Sequence, residues 1–335
     1  MSSVTNPSVS VVIPAYNSER YVADAIKSVL AQTYRPTEVL VVDDGSSDGT
    51  SAVVQAFGGM VRCLHQSNRG EPAARNLGLR HAQGEYVAFL DADDLWLPEK
   101  LELQMRYFAD HPNCAVVYTD MSTFDDSGIV DASVKVRFNI TFPEGNIFVP
   151  LFRETLFGSG SVVFRKSCVD KVGYFDEQFL IGCDYEMWLR MSRHFEFGVV
   201  DRPLLMYRQH PKMSTRGLGR ALWNGVPWEV AALRKTLRNN PDAVKELGQG
   251  TVNRRIAKVY ADLAHTQFQL QEYGNARRLF AGALRYRRGN AKYWAFYLAT
   301  FLSSGQIAGA RKLYRKLSGG SAADSPARSK AHAAS

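Results

Sequence analysis

The chain has 335 residues, of which 45% are hydrophobic and 22% charged, and its formal net charge is +8 at pH 7. This composition excludes an intrinsically disordered protein, and no stretch reaches the roughly 20 apolar residues of a membrane-spanning helix. The four cysteines form no C-x-x-C pair, and residues 1–8 lack the features of a signal peptide, so we expect a soluble, cytoplasmic protein.

Strands and helices are predicted to alternate through the first 90 residues. Apolar, β-branched runs predict strands, and apolar residues at helical spacing predict the helices between them. The predicted strands cover 9–13, 38–42, 61–65 and 86–90, and the predicted helices cover 21–30, 52–57 and 72–82. Nearly continuous apolar strands in this order are typical of a parallel sheet with helices on both faces. We therefore predict an α/β fold with a mostly parallel central sheet.

The pattern is less regular after residue 90. It predicts helices over 98–109 and 185–195, strands over 115–119, 161–164 and 199–207, and loops with a β excursion over 121–150. Pro203 is expected to interrupt the last strand.

From residue 228 to residue 317 the pattern is helical, and similar segments recur at an offset of 34 residues (257 to 291, 276 to 310). This is the period of a tetratricopeptide helix pair. We predict a tail over 1–8, an α/β domain over 9–227 with halves 9–110 and 111–227, a helical region over 228–317 with two such repeats, and a disordered tail over 318–335.

Polar motifs follow the predicted strands at 14–17, 43–46, 68–76 and 91–94. The carboxyl ends of parallel strands meet at one edge of the sheet, where open α/β sheets bind their ligands. Asp91 and Asp93 can point to different partners there, one to a ribose hydroxyl and the other to a hard divalent cation. An acidic turn is the alternative interpretation of this short Asp-x-Asp motif. Together the four motifs suit a nucleoside diphosphate with its cation.

The same motifs resemble those of the family 2 nucleotide-sugar glycosyltransferases, which have the GT-A fold. The resemblance rests on 9–17, 41–50, 74–78 and 89–94, and it extends over about 9–214. It implies a Rossmann-like sheet and transfer of a sugar from a nucleoside-diphosphate sugar to a hydroxyl of a glycan or lipid-linked acceptor. It also implies inversion at the anomeric carbon, Mg²⁺ or Mn²⁺ as cofactor, and a place in cell-surface polysaccharide synthesis.

The resemblance assigns roles to residues of the donor site. Asp44 is expected to read the base, Asp91 to contact the ribose side, and Asp93, with His210, to bind the metal. The expected nucleotide-sugar-binding residues are Pro14, Ala15, Tyr16, Asn17, Asp43, Asp44, Asn68, Arg75, Asp91, Ala92 and Arg208. From the residues alone, Asp43 also suits a turn, Arg75 also suits a carboxylate ion pair, and a lone histidine is more often structural.

The segment 182–190 resembles the family's Glu-Asp-x-x-x-Trp-Leu-Arg motif and implies that Asp184 is the general base. Asp184 would open a helix, whose dipole stabilises its anion, although an ordinary N-cap is the alternative. Cys183 stands where the family has Glu, which puts acceptor binding in doubt. Glu186 is a substitute candidate for the base, and Trp188 is expected in the core. The segment 158–161 is either the acceptor floor or a turn.

Other functions remain open at this point. One is an inactive transferase-like scaffold that recruits partners through its C-terminal helices. A nucleotidyltransferase is less favoured, because 9–17 lacks a Gly-rich basic loop. We expect no nucleic-acid partner, since the basic residues between 254 and 316 accompany no recognised binding motif. These residues suit either a solvated helix face or peripheral contact with an anionic membrane surface.

Overall fold

The computed structural model describes residues 7–211, 213, 222, 223, 225–302, 305 and 306. The chain divides between His210 and Pro211 into two units, each with its own internal packing.

The first part of the first unit is the parallel half of a sheet. The strands are β1 (Val9–Ala15), β2 (Glu38–Asp43), β3 (Arg62–His65) and β4 (Tyr86–Phe89), and the helices between them are α1 (Val22–Leu30), α2 (Thr50–Gln55) and α3 (Glu71–His81). The strands lie in the order β3-β2-β1-β4 and are all parallel. Every residue of β1 and β4 is buried, as expected for strands covered on both faces.

The rest of the first unit extends this sheet in mixed orientation. It contains β5 (Leu95–Trp96), α4 (Lys100–Asp110), β6 (Cys114–Asp125), β7 (Gly128–Asp131), α5 (Val134–Phe138), α6 (Phe148–Arg153), β8 (Val163–Arg165), α7 (Cys168–Val172), α8 (Cys183–Met191) and β9 (Glu196–Arg208). β8 is antiparallel to β4 and β6, while β6 and β9 are parallel. Within the described residues the sheet has nine strands. The predicted α/β fold is confirmed.

Two strands are longer than the sequence pattern predicts. β6 continues to Asp125 through the predicted loop region, which also contains β7, α5 and α6. The extension mixes polar and apolar residues and is almost entirely buried, and the Asp120 carboxylate accepts hydrogen bonds from the backbone N–H groups of Met121 (2.7 Å) and Lys135 (3.1 Å). Pro203 does not interrupt β9, since it lies opposite Asp120 at a register shift, where a missing N–H is tolerated.

The second unit is mostly helical. It contains the two-stranded pair β10 (Leu222–Trp223) and β11 (Val226–Pro227), followed by α9 (Trp228–Asn239), α10 (Ala243–Leu247), α11 (Gln249–Gln269), α12 (Tyr273–Tyr286) and α13 (Ala291–Ala299). Gly282 of α12 lets this helix approach α11, because a Cβ there would lie 2.7 Å from the Tyr260 ring.

Some predictions about the C-terminal region fall beyond the described residues. Residues 310–314, which the sequence pairs with 276–280 in the predicted repeat, lie outside the described residues. So does the predicted disordered tail 318–335. The tetratricopeptide-like repeat therefore stays a prediction. In the part of the chain that the structure describes, none of the helices has the length and apolar character needed to cross a membrane.

Candidate active site

The site lies at the carboxyl edge of the parallel strands. β1, β2 and β4 end there, α3 and α8 begin there, and β9 ends beside the turn that follows β4. This placement follows from the parallel order of the strands, which brings all their carboxyl ends to one edge.

Asp44 fixes the loop that precedes α3. Its buried carboxylate accepts hydrogen bonds from the N–H groups of Arg69 (2.9 Å) and Gly70 (2.8 Å) and from the side-chain amide of Gln66 (2.7 Å). Asp43 accepts a hydrogen bond from the backbone of Ser46 at 2.9 Å. Both aspartates thus have structural partners, and their roles in nucleotide recognition stay predictions.

The turn after β1 is shaped by Asn17. Its backbone is left-handed, with a φ of 49°, and its side-chain oxygen accepts a hydrogen bond from Ser47 N at 2.8 Å. This joins the turn after β1 to the turn after β2. Beside it, the Tyr16 side chain is exposed and available to a ligand, whereas Pro14 and Ala15 are buried in β1. Asn68 is exposed in the loop held by Asp44, and Ala92 is buried.

Arg75 is the buried cation of the site, with 2% of its surface exposed. Its Nη2 donates a hydrogen bond to Asp91 Oδ1 (2.8 Å) and forms an ion pair with Glu71, while Nη1 contacts Cys183 Sγ at 3.6 Å. Burial lowers the pKa of Arg75, but Glu71 and Asp91 outweigh burial and raise that pKa above its usual value. In this structure Arg75 is paired with carboxylates, so a phosphate would have to compete with them.

Glu71 is a site residue that the sequence analysis missed. It is the first residue of α3, and its carboxylate is near enough to those of Asp91, Asp184 and Asp93 for their charges to act on it. Burial first, and then these three charges, raise the pKa of Glu71 to about 7, while Arg75 lowers it. A signal was present in the sequence, because Glu71 and Arg75 are four residues apart on one helix, the spacing of a helical ion pair.

Asp93 and His210, the two residues predicted to bind the metal, lie side by side, and their role as ligands stays a prediction. His210 Nε2 lies 2.9 Å from Asp93 Oδ2, and the buried Nδ1 of His210 has no hydrogen-bond partner within the described residues. Arg208 Nε donates a hydrogen bond to the Asp93 carbonyl oxygen (2.7 Å), and Arg208 N donates one to Asp94 Oδ1 (2.9 Å). The end of β9 is thereby fixed to the turn after β4.

A divalent metal fits this pair only with help from the substrate. Among the described residues no group of three or more His, Cys, Asp or Glu side chains is arranged to hold a metal ion. Asp93 and His210 would supply two ligands, and substrate phosphates and water would supply the others, as is usual for Mg²⁺ bound with a nucleotide.

Asp184 lies in the first turn of α8 and is partly exposed. Its carboxylate accepts a hydrogen bond from Tyr185 N at 2.8 Å, and no cation forms an ion pair with it among the described residues. Burial raises the pKa of Asp184, and the nearby charge of Arg75 lowers it. An unpaired carboxylate with a raised pKa has the properties of a general base.

Glu186 is excluded as the substitute base. It is 1% exposed, and its carboxylate is held by Arg190 at 2.9 Å and 3.0 Å. Trp188 lies in the core, with 1% of its surface exposed, which confirms the expectation for this residue. The segment 158–161 forms a mostly buried 3₁₀ turn before β8, and its role as an acceptor floor stays a prediction.

Comparisons with known proteins identify the family. The sequence profile described as Glycosyl transferase family 2 matches residues 10–173. The protein named uncharacterized glycosyltransferase RT0329, from Rickettsia typhi, is 31% identical over 229 residues, which cover 66% of this chain and 71% of that protein. The chain belongs to glycosyltransferase family 2. The resemblance seen in the sequence motifs is thereby confirmed.

Two other relatives differ in how much of their own length this family 2 chain covers. The WfgD protein of Escherichia coli, named UDP-Glc:alpha-D-GlcNAc-diphosphoundecaprenol beta-1,3-glucosyltransferase, is 32% identical over 195 residues, which cover 58% of this chain and 73% of that protein. A Rickettsia felis relative, named uncharacterized glycosyltransferase, is 32% identical over 204 residues, or 60% of this chain. The family 2 chain matches only 33% of the length of that relative.

The fold of this family 2 chain is that of solved glycosyltransferases. The mannosyltransferase PcManGT from Pyrobaculum calidifontis, solved with GDP-Man and Mn²⁺, aligns with a TM-score of 0.58 and 20% identity. The alignment covers 95% of this chain and 84% of that one. At this level of identity the likeness establishes the shared fold.

Proposed function

We propose that the chain is an inverting, metal-dependent glycosyltransferase. It transfers a sugar from a nucleoside-diphosphate sugar to a hydroxyl of a glycan or lipid-linked acceptor in cell-surface polysaccharide synthesis. The observation that carries this proposal is that Asp91, Asp93 and Asp184 all lie close enough to Glu71 to raise its pKa, with Asp91 hydrogen-bonded to the buried Arg75 at the carboxyl edge of the sheet. The names of WfgD and of the PcManGT complex support the donor class and the metal.

The donor side is built from Asp91, Asp93, Arg208 and His210. One oxygen of Asp91 is bound by Arg75, while the other has no partner among the described residues and can accept a ribose hydroxyl. Asp93 and His210 would hold the divalent metal, which, when bound, would offset negative charge on the departing diphosphate. Arg208 lies beside them and adds positive charge there.

The acceptor side depends on Asp184. The pKa of a sugar hydroxyl lies far above 7, so a positioned carboxylate must accept its proton during attack. Asp184 has no ion pair within the described residues, so it is free to do this. Attack on the face opposite the leaving diphosphate is a single displacement, which inverts the anomeric carbon.

The first test is nucleotide binding, measured as a shift in melting temperature. A panel of UDP-, dTDP- and GDP-sugars, with and without Mn²⁺, is applied to the wild type, Asp93→Asn and the control Asp110→Asn. Asp110 is an exposed aspartate at the end of α4, away from the site. A ligand that binds only the native state must raise the melting temperature. We expect a Mn²⁺-dependent shift with one nucleotide class in the wild type and the control, and none in Asp93→Asn.

Turnover separates the proposal from the scaffold alternative. With the donor that binds, we expect release of the nucleoside diphosphate, and the anomeric configuration of the product is read by NMR. Binding without release would favour an inactive, partner-recruiting protein. A product with retained configuration would overturn the inverting mechanism.

A further inference from the structure

The site contains more negative than positive charge around one guanidinium. The carboxylates of Asp91, Asp93 and Asp184 are all close enough to Glu71 to raise its pKa. Arg75 is the buried cation among them, and its Nε is buried without a hydrogen-bond partner in the described residues. The position of this guanidinium therefore decides which of these carboxylates is neutralised.

The two terminal nitrogens of the Arg75 guanidinium have different partners. Nη2 is shared by Glu71 and Asp91, whereas the thiol of Cys183 is the one contact of Nη1 within the described part of the chain. Burial raises the pKa of Cys183 well above its usual value, so the thiol carries no charge that could pair with Arg75. In the family motif that the segment 182–190 resembles, Glu occupies the position of Cys183.

We propose that Glu71 is a positioning residue, which supplies the carboxylate partner of Arg75 that Cys183 cannot supply. Held by Glu71 and Asp91, the guanidinium stays away from Asp184 and leaves that base unpaired. The inference rests on the proposed function, because Asp184 acts as a base only if the chain is a transferase.

The geometry explains why a carboxylate at position 71 reaches Arg75. Both residues lie on α3 four positions apart, so their side chains meet on one face of the helix. The backbone of Gly70, with a φ of 88°, turns the chain into the first turn of α3, and Asp44 binds its N–H. The Glu71 side chain is 39% exposed, and its carboxylate contacts the buried guanidinium of Arg75.

The test moves the carboxylate from one side of Arg75 to the other. The variants are Glu71→Gln, Glu71→Asp, Cys183→Glu and the double variant Glu71→Gln with Cys183→Glu. Glu102→Gln is the matched control, because Glu102 forms an ion pair with Arg106, which is also four positions further along the same helix, here α4. Release of nucleoside diphosphate from the donor that binds wild type is measured against pH, and the melting temperature of each variant is recorded.

In Glu71→Gln the guanidinium is free to move towards Asp184. We expect kcat to fall by up to about a hundredfold, the loss that a misplacement of about 1 Å in an active site can cause. The acidic limb of the pH profile should move to lower pH, because an adjacent cation lowers the pKa of a carboxylate. The titratable groups that face Asp184 here are the charged side chains of Arg75, Glu71 and Asp91 and the uncharged thiol of Cys183.

A purely structural role for Glu71 would show a different result. Positioning predicts that Cys183→Glu restores at least part of the rate to Glu71→Gln, that Glu71→Asp keeps more activity than Glu71→Gln, and that Glu102→Gln is unchanged. If Glu71→Gln matches wild type in rate and pH profile, the inference is wrong. It is also wrong if the double variant folds, as its melting temperature shows, without any rescue and Glu71→Asp is as impaired as Glu71→Gln.

The two proposals fail in different ways. A wild type that releases nucleoside diphosphate while Glu71→Gln behaves identically overturns the inference and leaves the proposed function standing. A wild type that neither binds nor turns over any donor overturns the proposed function, and the inference with it.

Discussion

At the scale of single residues, the site is governed by a buried arginine surrounded by carboxylates. Removing Arg75 leaves the charges of Glu71 and Asp91 without their cation. Breaking a buried ion pair from one side typically costs about 3–5 kcal/mol of stability. The carboxylates left behind here are 39% and 32% exposed and stay partly hydrated, so we expect Arg75→Met to lower the free energy of unfolding by less, about 1–3 kcal/mol, in urea denaturation at neutral pH.

The control for this change is Arg106→Met. Arg106 forms an exposed ion pair with Glu102, and its side chain is 62% exposed. Exposed pairs contribute about 0–1 kcal/mol, so the control should stay close to wild type. Equal losses in both variants would show that the burial of Arg75 has no special energetic role.

A second residue-scale prediction concerns pH. The folded-state pKa of Glu71 is raised to about 7 from an ordinary value of 4.5, so the native state binds more protons than the unfolded state between these two values. Stability must then fall as pH rises through this window. We expect the melting temperature of Glu71→Gln, relative to that of wild type, to rise from about pH 5 to about pH 8 in metal-free buffer. A constant difference across this range would contradict the raised pKa.

At the scale of elements, α3 carries Glu71 and Arg75 and packs closely on β1. A Cβ at Gly78 of α3 would lie 2.3 Å from Val12 Cγ1, a distance that forces the helix or the strand to shift. Overpacking of this kind costs about 1–3 kcal/mol. We expect Gly78→Ala to lower both the free energy of unfolding and the rate, because the shift moves Arg75 relative to Asp91.

Gly274 provides the matched comparison within a helix. It is exposed on α12, and no atom outside its immediate surroundings lies within 4 Å of the Cβ it would gain. Alanine is favoured over glycine in helices by up to about 1 kcal/mol, so Gly274→Ala should leave stability unchanged or raise it. A loss equal to that of Gly78→Ala would refute the packing explanation.

Some of these elements could be predicted from the sequence and others could not. The strands β1, β2 and β4 were predictable, because each is a short, mostly apolar segment with polar residues at or just after its end. The second half of β6 was not, since its buried Asp120 is satisfied by Met121 and Lys135, a partnership that only the folded chain creates. In the site, the approach of His210 to Asp93 was predicted, whereas Glu71 was missed because its role depends on Asp184, more than a hundred residues away.

At the scale of the whole molecule, the four cysteines allow a direct test of the packing. All four are free, and Cys114, Cys168 and Cys183 are buried. Burial raises the pKa of Cys114 to about 11 and that of Cys168 to about 12, so their reactive thiolates are scarce at neutral pH. We expect Ellman's reagent to modify Cys63 alone in the native protein and all four thiols in concentrated guanidinium chloride. Rapid native modification of several thiols would contradict the burial of the other three.

The contacts of Arg75 also constrain how this sequence can have evolved. Position 71 and position 183 lie on opposite sides of one guanidinium, so an acidic residue at either can serve it. An ancestor that lost its acid at 183 before gaining one at 71 would have carried a buried arginine short of a partner. An ancestor that gained Glu71 first would have passed through a tolerated form with both. Related sequences should therefore vary at these two distant positions together, and where neither carries an acid Asp91 is left as the carboxylate that holds the arginine.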